Sequence, residues 1–234
     1  MSSTITPETQ VTTEGAPPTK EASVGVAFKA SGLPVSDIAL ARLKNVEPEA
    51  AKRSKYWNLR RNNKLYSRFL KLVREEAPDA LTVLDVGAYE SPYISLFDWI
   101  PTKVATDIQS RDNVWNDMDG IAFVQGDFMK LNFATVFDVV ICNQVVEHID
   151  DDKVKQFVAK MQSIAKVLMV TTTYEMPFGD IQGHVQDPIS ENEFRSWFET
   201  SQVAGEISRH EIWDSAQTIN KSEVKNQVVV WRRA

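Results

Sequence analysis

Two apolar segments that each end in an acidic residue place the strongest constraint on the fold of this chain. Residues 81–87 predict a buried strand that carries Asp85 near its end and runs into a turn at Gly87. Residues 103–108 predict a second strand, with Asp107 at its end. A strand, a tight turn, a helix and a second strand ending in a carboxylate is an arrangement that binds nucleosides, because the acid accepts hydrogen bonds from ribose hydroxyls. The turn has only the first of the glycines that a dinucleotide-binding loop uses, which favours a ligand without a pyrophosphate.

From residue 81 onward, short apolar runs alternate with segments of helical periodicity. The predicted strands lie at 81–87, 103–108, 121–125, 136–143 and 166–173, and the predicted helices lie at 91–99, 151–165 and 190–200. This alternation indicates an α/β fold with a doubly wound, mostly parallel sheet that is covered on both faces. Two later strand-like runs, 206–213 and 226–232, have no convincing helix between them, so we expect an antiparallel pair at one edge of the sheet.

Composition narrows the class of protein. The chain has 234 residues, of which 43% are hydrophobic, and this is enough for one sizeable α/β domain. A net charge of −6 argues against a nonspecific nucleic-acid binder, which needs a basic face. The single cysteine, Cys142, lies in an apolar run, so we expect a buried free thiol. No stretch has transmembrane length and the N-terminus lacks the pattern of a secretory signal, so we expect a cytoplasmic protein.

The N-terminal third predicts a tail followed by a helical cap. Residues 1–23 are rich in Ser, Thr, Pro and Glu and predict a disordered tail, and residues 24–80 predict an N-terminal helical cap. Within the cap, residues 48–76 have helical periodicity and many basic side chains, most of which a solvated surface explains. Four side chains of this segment are candidates for facing a ligand beneath the cap: Tyr56, Trp57, Arg60 and Asn63.

The ends of the predicted strands carry the candidate binding residues, because ligands of open α/β sheets bind beyond the carboxyl ends of the strands. These residues are, strand by strand, Asp85, Gly87, Ala88 and Tyr89; Asp107 and Ile108; Asp127 and Phe128; Asn143, Gln144, Glu147 and His148; and Thr172, Thr173, Tyr174 and Glu175. Any one acid could be a helix cap. Four successive strands that deliver acids or amides to one edge predict a binding site.

Four segments of this edge carry a family resemblance. They are Val83–Gly87 (VLDVG), Ala105–Ile108 (ATDI), Gln125–Phe128 (QGDF) and Phe137–Ile149 (FDVVICNQVVEHI). In this order they resemble the class I S-adenosylmethionine-dependent methyltransferases, and the resemblance covers roughly residues 81–175. It implies a seven-stranded sheet with an antiparallel last strand, and S-adenosyl-L-methionine as the cofactor.

The resemblance also implies roles at the methionine end of the cofactor and at its ribose. Gly87 and Ala88 would line the methionine part, and Asp85 would help to hold its amino group through water. Asn143 would contact the cofactor near the same end. Asp107 would accept hydrogen bonds from the ribose hydroxyls.

The adenine end is implied in the same way. Asp127 would accept a hydrogen bond from the adenine amino group, with Ile108 and Phe128 on either side of the ring. The chain departs from the family at Tyr89 and Ser91, where glycines are common. Tyr89 is therefore a candidate for covering the cofactor instead.

The histidines are the candidate bases for methyl transfer to a hydroxyl, which must lose its proton. His148 follows the fourth strand and is either a catalytic base or a structural histidine of that stretch. His184 lies in a glycine-containing loop after the fifth strand, three residues before Asp187, which could orient its ring. We interpret His184 as the base, with Asp187 as its partner and His148 as the alternative. His210 is predicted to be a surface residue of an edge strand.

No metal is expected from the spacing of the residues. Asp150, Asp151 and Asp152 form an acidic run, but the run opens a predicted helix, whose N-terminus it would stabilise. The chain has neither a His-x-x-x-His nor a Cys-x-x-Cys pair that would support a zinc site.

The acceptor is the least constrained part of the interpretation. Asn143-Gln144 lacks the Pro-Pro-aromatic continuation associated with methylation of nucleobase amino groups, which argues against such an acceptor. The segment 183–190 is similar to small methyltransferases that act on sugars or other metabolites, so we expect a small-molecule acceptor, methylated on oxygen, with Tyr174 among its contacts. Two alternatives stay open: a protein or RNA methyltransferase that docks through the basic segment 52–74, and a noncatalytic nucleoside-binding partner of an active subunit.

Overall fold

Seven strands form one mixed sheet at the centre of the molecule. The computed structural model describes residues 54–61, 63–109, 112–115, 118, 120–177, 179–219 and 222–234. The strands are β1 Thr82–Val86, β2 Thr102–Asp107, β3 Ile121–Gln125, β4 Phe137–Asn143, β5 Ala165–Tyr174, β6 Gly205–Ile219 and β7 Ser222–Arg233. Their order across the sheet is β3-β2-β1-β4-β5-β7-β6.

The pairing of the strands confirms the predicted fold class. The first five strands pair in parallel, whereas β7 pairs antiparallel with β5 on one side and with β6 on the other. The two late runs of the sequence are therefore the antiparallel pair, and the last strand of the chain lies between β5 and the edge strand β6. Strand order reverses between β1 and β4, which creates a crevice at their carboxyl ends where ligands of such sheets bind.

Helices and short 3₁₀ turns connect and cover the strands. The α-helices are α1 Lys55–Arg60, α2 Lys64–Glu76, α3 Asp112–Trp115, α4 Asp151–Ser163 and α5 Glu191–Ser196, and the 3₁₀ helices are Pro92–Leu96 and Val146–His148. The helix predicted at 91–99 is thus a short 3₁₀ helix. A longer helix is disfavoured there because Pro101 follows and restricts the residue before it. The helix predicted at 190–200 ends at Ser196, and its cap Ser190 accepts a hydrogen bond from the Glu193 amide at 3.2 Å, as predicted.

The basic N-terminal segment forms two helices instead of one. Ser54 caps α1 by accepting a hydrogen bond from the Trp57 amide at 2.9 Å. Asn63 caps α2 in the same way, with the Leu65 amide as donor at 2.9 Å. A second cap within the run is a start signal that ends the first helix and begins another. The predicted tail at 1–23 and the first part of the predicted cap at 24–80 lie outside the described residues.

Each face of the sheet carries its own apolar core. In β4, Val139 and Ile141 face the core beneath α1 and α2, whereas Val140 and Cys142 face the core beneath α4 and α5. The side chains alternate because successive residues of a strand point to opposite faces. Cys142 is a buried free thiol, as predicted. In β1, Asp85 shares the α1–α2 side with Val83, which places an acid at the end of an otherwise apolar face.

Candidate functional site

The turn after β1 is held open by a backbone that only glycine adopts easily. Gly87 has φ +80°, and a Cβ placed there would lie 2.4 Å from Cγ2 of Val145. Its amide donates to the Thr106 carbonyl at 2.8 Å, which ties the turn to β2. Ala88 donates to the same carbonyl at 3.1 Å and is buried. The turn therefore approaches the β1–β4 crevice with its backbone, where a bulkier residue at position 87 would collide with Val145.

Asp107 closes this turn from the neighbouring strand. Its Oδ2 accepts a hydrogen bond from the Tyr89 amide at 2.8 Å, and its Oδ1 accepts one from the Gln109 amide at 2.8 Å. Tyr89 itself has φ +46°, an uncommon conformation for a non-glycine residue. A carboxylate oxygen has more than one lone pair, so the oriented Asp107 can still accept hydrogen bonds from a ligand. Ile108 beside it is 65% exposed, an apolar surface that a flat ring could cover.

Asp85 is a buried acid whose environment favours a cationic partner. It is 3% exposed, and burial, with a smaller contribution from the Asp107 charge, raises the pKa of its carboxyl to about 8. A positively charged amino group bound nearby would favour the ionised form of Asp85.

Two of the residues predicted to hold adenine, Asp127 and Phe128, already have contacts within the protein. Asp127 accepts a hydrogen bond from the Met129 amide at 3.0 Å and lies 3.4 Å from the Lys130 ammonium, so it also stabilises its own turn. Phe128 is 6% exposed, and its ring packs edge to face against Phe157 with the centroids 5.1 Å apart. This packing corrects the expectation that the Phe128 ring stacks on adenine. The ring is buried against Phe157 in the apolar core and leaves little surface for a ligand.

The end of β4 is linked by side chains to β5. Asn143 accepts a hydrogen bond from the Thr171 hydroxyl at 3.1 Å. Gln144, the next residue, has φ +55° and marks a sharp change of direction as the chain leaves the strand. The turn brings the 3₁₀ helix Val146–His148 over the carboxyl end of the sheet, and with it Glu147 and His148.

Two histidines that are 36 positions apart in the chain come together at this end of the sheet. The rings of His148 and His184 are perpendicular, with centroids 4.8 Å apart. Nδ1 of His184 contacts Oδ2 of Asp187 at 2.6 Å, and Oδ1 of Asp187 accepts a hydrogen bond from the Thr173 hydroxyl at 2.8 Å. Nδ1 of His148 bonds the Gly183 carbonyl at 2.8 Å. The structure thus brings the predicted base, its predicted carboxylate partner and the alternative base into one cluster.

Burial sets the protonation of His184. The side chain is 5% exposed, and desolvation lowers the pKa of its ring in spite of the opposing effect of Asp187. A lowered pKa keeps the ring neutral at pH 7, so one of its nitrogens carries a lone pair.

Glu147 is a member of this cluster that was predicted to lie at the binding edge, but without a role of its own. It is fully buried, and its Oε2 accepts a hydrogen bond from the Thr172 hydroxyl at 3.0 Å, while its Oε1 has no hydrogen-bond partner among the described residues. Burial raises the pKa of its carboxyl to about 8. The signal that could have found it is the Glu-His pair that follows β4, since an acid in an apolar string needs a reason to be there.

The first helix extends over the site. The Tyr56 ring is perpendicular to that of Tyr89, with centroids 5.1 Å apart, and the Arg60 guanidinium lies 4.8 Å from the centre of the Tyr56 ring. The Arg60 charge opposes the rise that burial causes in the pKa of Glu147, and it adds to the lowering that burial causes in the pKa of His184. These contacts form a line of side chains from the turn after β1 to Arg60, whose charge acts on the histidine cluster.

Trp57, the third candidate of the cap, is not at the site. It is 2% exposed and packs on the rings of Tyr66 and Tyr93, at 5.3 and 6.2 Å between centroids. Tyr56 and Arg60 are four residues apart and share one face of α1, whereas Trp57 is rotated by about 100° onto the core. This corrects the prediction that Trp57 binds the substrate.

Several basic side chains of α2 have packing roles. The Arg68 guanidinium lies over the Trp213 ring at 4.6 Å, and that of Arg74 lies over the Trp99 ring at 4.8 Å. Guanidinium groups stacked on aromatic rings stabilise the contacts of α2 with β6 and with the segment that precedes β2. They are less suited to docking a macromolecule than a set of free cations would be.

The remaining two residues, Tyr174 and His210, lie on β5 and β6. Tyr174 is half-buried at the end of β5, and burial together with the Glu175 and Glu191 carboxylates raises the pKa of its hydroxyl. His210 is not a surface residue, because its side chain is 4% exposed, lies against the Phe194 ring and contacts Oε1 of Gln227 at 3.2 Å. The partner strand β7 and helix α5 cover this face of β6, which the alternation along a single strand did not reveal.

The acidic run occupies the start of α4. Asp151 and Asp152 lie in the first turn of the helix, and Asp150 precedes it and pairs with Lys153. Acids in this position are stabilised by the helix dipole. No helix of the described residues is both long and apolar enough to cross a membrane.

Comparison with known proteins identifies the fold and its domain type. The family described as "Methyltransferase domain" matches residues 96–168. The N-methyltransferase NodS from Bradyrhizobium japonicum WM9, solved with S-adenosyl-L-homocysteine, is 13% identical with a TM-score of 0.59, and the match covers 84% of this chain and 99% of that one. No curated protein matches the sequence significantly.

Two other solved structures have a similar fold. An S-adenosylmethionine-dependent methyltransferase from Clostridium acetobutylicum is 11% identical with a TM-score of 0.56, and the match covers 72% of this chain and 92% of that one. Magnesium protoporphyrin IX methyltransferase from Synechocystis PCC 6803, solved with S-adenosyl-L-homocysteine, is 14% identical with a TM-score of 0.56. The match covers 73% of this chain and 83% of that one. The names of two of these proteins specify different acceptors, a nitrogen for NodS and magnesium protoporphyrin IX for the Synechocystis protein. The shared fold therefore leaves the acceptor of this chain undetermined.

Proposed function

We propose that this chain, which belongs to the class I S-adenosylmethionine-dependent methyltransferases, transfers the methyl group to a hydroxyl of a small acceptor molecule. The observation that carries the proposal is the hydrogen-bonded series Thr173–Asp187–His184 at the carboxyl end of β5, beside His148. A buried carboxylate that orients a neutral imidazole is the arrangement of a general base. Methylation of a hydroxyl needs such a base, because the oxygen must lose its proton.

The residues on the β1–β2 side fit the cofactor. Gly87 and Ala88 offer backbone to the methionine part, and Asp85 offers a buried acid to its amino group. Asp107 offers an oriented carboxylate to the ribose, and Ile108 offers an exposed apolar surface to the adenine. When it is bound, the cofactor supplies a methyl group that the sulfonium charge has already activated.

Three further contacts belong to the proposed cofactor site. Asp127 would accept from the adenine amino group with the lone pairs that the Met129 amide leaves over. Asn143 lies at the end of β4, next to the crevice. Tyr89 is held by Asp107 and would cover the ligand from the side of α1.

On the acceptor side, the protein has two tasks. Nε2 of His184 takes the hydroxyl proton as the new bond to oxygen forms, and Asp187 holds the ring in position through Nδ1. Tyr56 and Arg60 close the site from above, and Tyr174 lies at the same end of β5. Alignment of the two reacting groups is itself a large part of the rate, because the displacement is in line.

The arrangement over the site favours a small acceptor. Tyr56 packs on Tyr89, and Arg60 packs on Tyr56, so that α1 lies against the turn after β1 while the Arg60 charge acts on His184 and Glu147. A protein or RNA acceptor that docks on the basic helices is the second candidate, and it is supported by the exposed Lys64 and Lys71. A noncatalytic nucleoside-binding role is less well supported, because it would give the His184–Asp187 pair no task.

The test is cofactor capture followed by an acceptor screen. Mass spectrometry of the purified full chain should find S-adenosylmethionine or S-adenosylhomocysteine bound, and the Asp107→Ala variant should have lost it. A screen with methyl-labelled donor against hydroxylated metabolites, RNA and proteins then identifies the acceptor. Labelling of RNA or protein alone would replace the small-molecule proposal, and cofactor binding without labelling of any class would favour the noncatalytic role.

A further inference from the structure

Three side chains at the carboxyl end of the sheet form a set of metal ligands that the spacing of the sequence concealed. Glu147, His148 and His184 each place one ligand atom within 4.8 Å of the others. Two come from the 3₁₀ helix after β4, and the third comes from the loop after β5. Two imidazoles and one carboxylate are a donor set that divalent transition metals bind, with further positions left for water or substrate.

Both histidines are oriented as metal ligands usually are. Nδ1 of His184 is directed at the Asp187 carboxylate, and Nδ1 of His148 is directed at the Gly183 carbonyl. Both partners are acceptors, so each Nδ1 carries the proton and each Nε2 carries a lone pair in the neutral ring. Metal-bound histidines characteristically donate their other N–H to a carboxylate or carbonyl, which fixes the ring and increases its basicity.

The carboxylate of the set lacks a partner of its own. Oε1 of Glu147 is buried without a hydrogen bond among the described residues, although Oε2 is bonded to the Thr172 hydroxyl. A buried oxygen without a partner destabilises the fold unless something else bonds it. Glu147 and Asp187 also bring two carboxyl groups into a buried region, and a divalent cation bound there would favour the ionised form of both.

We propose that Glu147, His148 and His184 bind a divalent transition-metal ion of the Mn²⁺-to-Zn²⁺ series that orients the acceptor hydroxyl. The inference rests on the proposed methyl transfer and deepens it at the same site, where it assigns the activation of the acceptor hydroxyl to the ion in place of His184. In a tetrahedral site with bonds of about 2.1 Å, ligand atoms lie roughly 3.4 Å apart, so the three side chains must draw together on binding. His148 is exposed and is the one most free to move.

The ion changes the task of the two histidines. With Nε2 of each bound to the ion, the acceptor hydroxyl binds in an open position and ionises there, because a bound cation lowers the pKa of an oxygen ligand. The oxygen then gains the methyl group, the electron pair of the broken bond stays on sulfur as a thioether, and the hydroxyl proton leaves to water. The ion therefore replaces proton transfer to His184 as the means of activating the acceptor.

The deciding experiment measures metal binding directly. The full chain is treated with chelator, exchanged into buffer and titrated with Zn²⁺ and with Mn²⁺ by calorimetry. One ion should bind per chain, and His148→Ala and Glu147→Gln should each weaken binding by at least about tenfold. His148→Ala is the primary variant because its side chain is exposed, and Glu147→Gln keeps both the shape and a hydrogen-bond acceptor for Thr172.

Matched controls separate this site from others. Asp150→Asn removes an exposed acid from the nearby acidic run, and His210→Gln removes the third histidine; both should bind the ion as the native chain does. If neither ion binds more tightly than about 1 mM, or if His148→Ala binds like the native chain, the proposal is wrong.

S-adenosylhomocysteine titrated into the same samples distinguishes the two proposals. Cofactor binding and chelator-resistant methylation without any metal binding would overturn the metal site alone. Metal binding without cofactor binding would overturn the proposed methyltransferase site and leave the metal site standing.

Discussion

The two halves of the carboxyl edge of the sheet are built in different ways. On the β1–β2 side, main-chain amides make the contacts: Gly87 and Ala88 donate to the Thr106 carbonyl, and Asp107 accepts from the Tyr89 and Gln109 amides. On the β4–β5 side, side chains bond one another, as in Glu147 with Thr172 and in Asp187 with Thr173 and His184.

This difference indicates which half of the edge can change its ligand through amino-acid substitution. A site made of main-chain groups and one acid keeps its geometry through many substitutions, which suits a ligand that does not change. A network of side chains can be exchanged residue by residue, which suits an acceptor that differs between relatives. The solved structures named above share the fold with this chain.

The largest effect is expected on the side-chain half. His184→Ala should lower turnover by about a hundred- to ten-thousandfold while cofactor affinity is unchanged, since a positioned base contributes that much. Initial rates with labelled donor and calorimetry with S-adenosylhomocysteine measure the two quantities. His148→Ala is the comparison. If only His148→Ala loses turnover, His148 is the base, and if both lose turnover together with metal binding, both are ligands.

A smaller effect is expected on the main-chain half. Asp107→Ala should weaken cofactor binding by about ten- to a hundredfold, the equivalent of roughly 1.5–3 kcal/mol for hydrogen bonds to a charged acceptor. The structure adds a second consequence, because the Tyr89 and Gln109 amides lose their acceptor and the turn loses order. Asp107→Asn keeps one oxygen for these amides and is the matched variant. Unchanged affinity in Asp107→Ala would place the ribose elsewhere.

The buried acid between the two halves should make stability depend on pH. The pKa of Asp85 is about 8 in the folded protein, above its ordinary value, so the folded state holds its proton more tightly than the unfolded state. Stability contributed in this way is present at low pH and is lost as pH rises towards 8. Asp85→Asn should therefore raise the free energy of unfolding of the ligand-free protein at pH 8 by about 1–3 kcal/mol, and by less at pH 5.

Denaturant unfolding at the two pH values measures this difference. Equal stabilisation at both would mean that Asp85 is ionised throughout. Addition of S-adenosylhomocysteine should reduce the advantage of Asp85→Asn, because the amino group of the ligand favours the ionised acid.

The smallest effect is expected at the adenine end. Asp127→Asn should weaken cofactor binding by less than Asp107→Ala does, because an amide oxygen still accepts from the adenine amino group and from the Met129 amide. Calorimetry of Asp127→Asn and Asp127→Ala with the same ligand makes the comparison. Native affinity in both variants would show that Asp127 serves only its own turn.

Much of the fold follows from local patterns. The five parallel strands lie within one or two residues of their predicted positions, because short apolar runs between turn residues are read directly from the chain. The antiparallel pair was predicted from the short connection between the last two runs. The helix predicted at 91–99 was too long, since Pro101 and the burial of Tyr93, Ile94 and Phe97 decide its form.

The predictions for Trp57, His210 and Phe128 were wrong, and these errors share a physical cause. Trp57 was predicted to contact a ligand, and His210 was predicted to lie on the surface. The side chains of both are buried by elements that are distant in the sequence. Phe128 was expected to stack on adenine and instead packs on Phe157 of α4. Which face of an element is covered depends on its tertiary neighbours, and periodicity alone does not name them.

The sequence by itself determined the order of the strands along the chain, the acids at their ends and the glycine turn, because each depends on residues that are close in sequence. Only the tertiary structure decided that Glu147 and His148 meet His184, and that Tyr56 of α1 packs on Tyr89 while Trp57 packs into the core. The physical reason is that the parallel pairing of β4 with β5 brings the segments that follow them to one edge, and burial there removes the water that would otherwise satisfy Glu147.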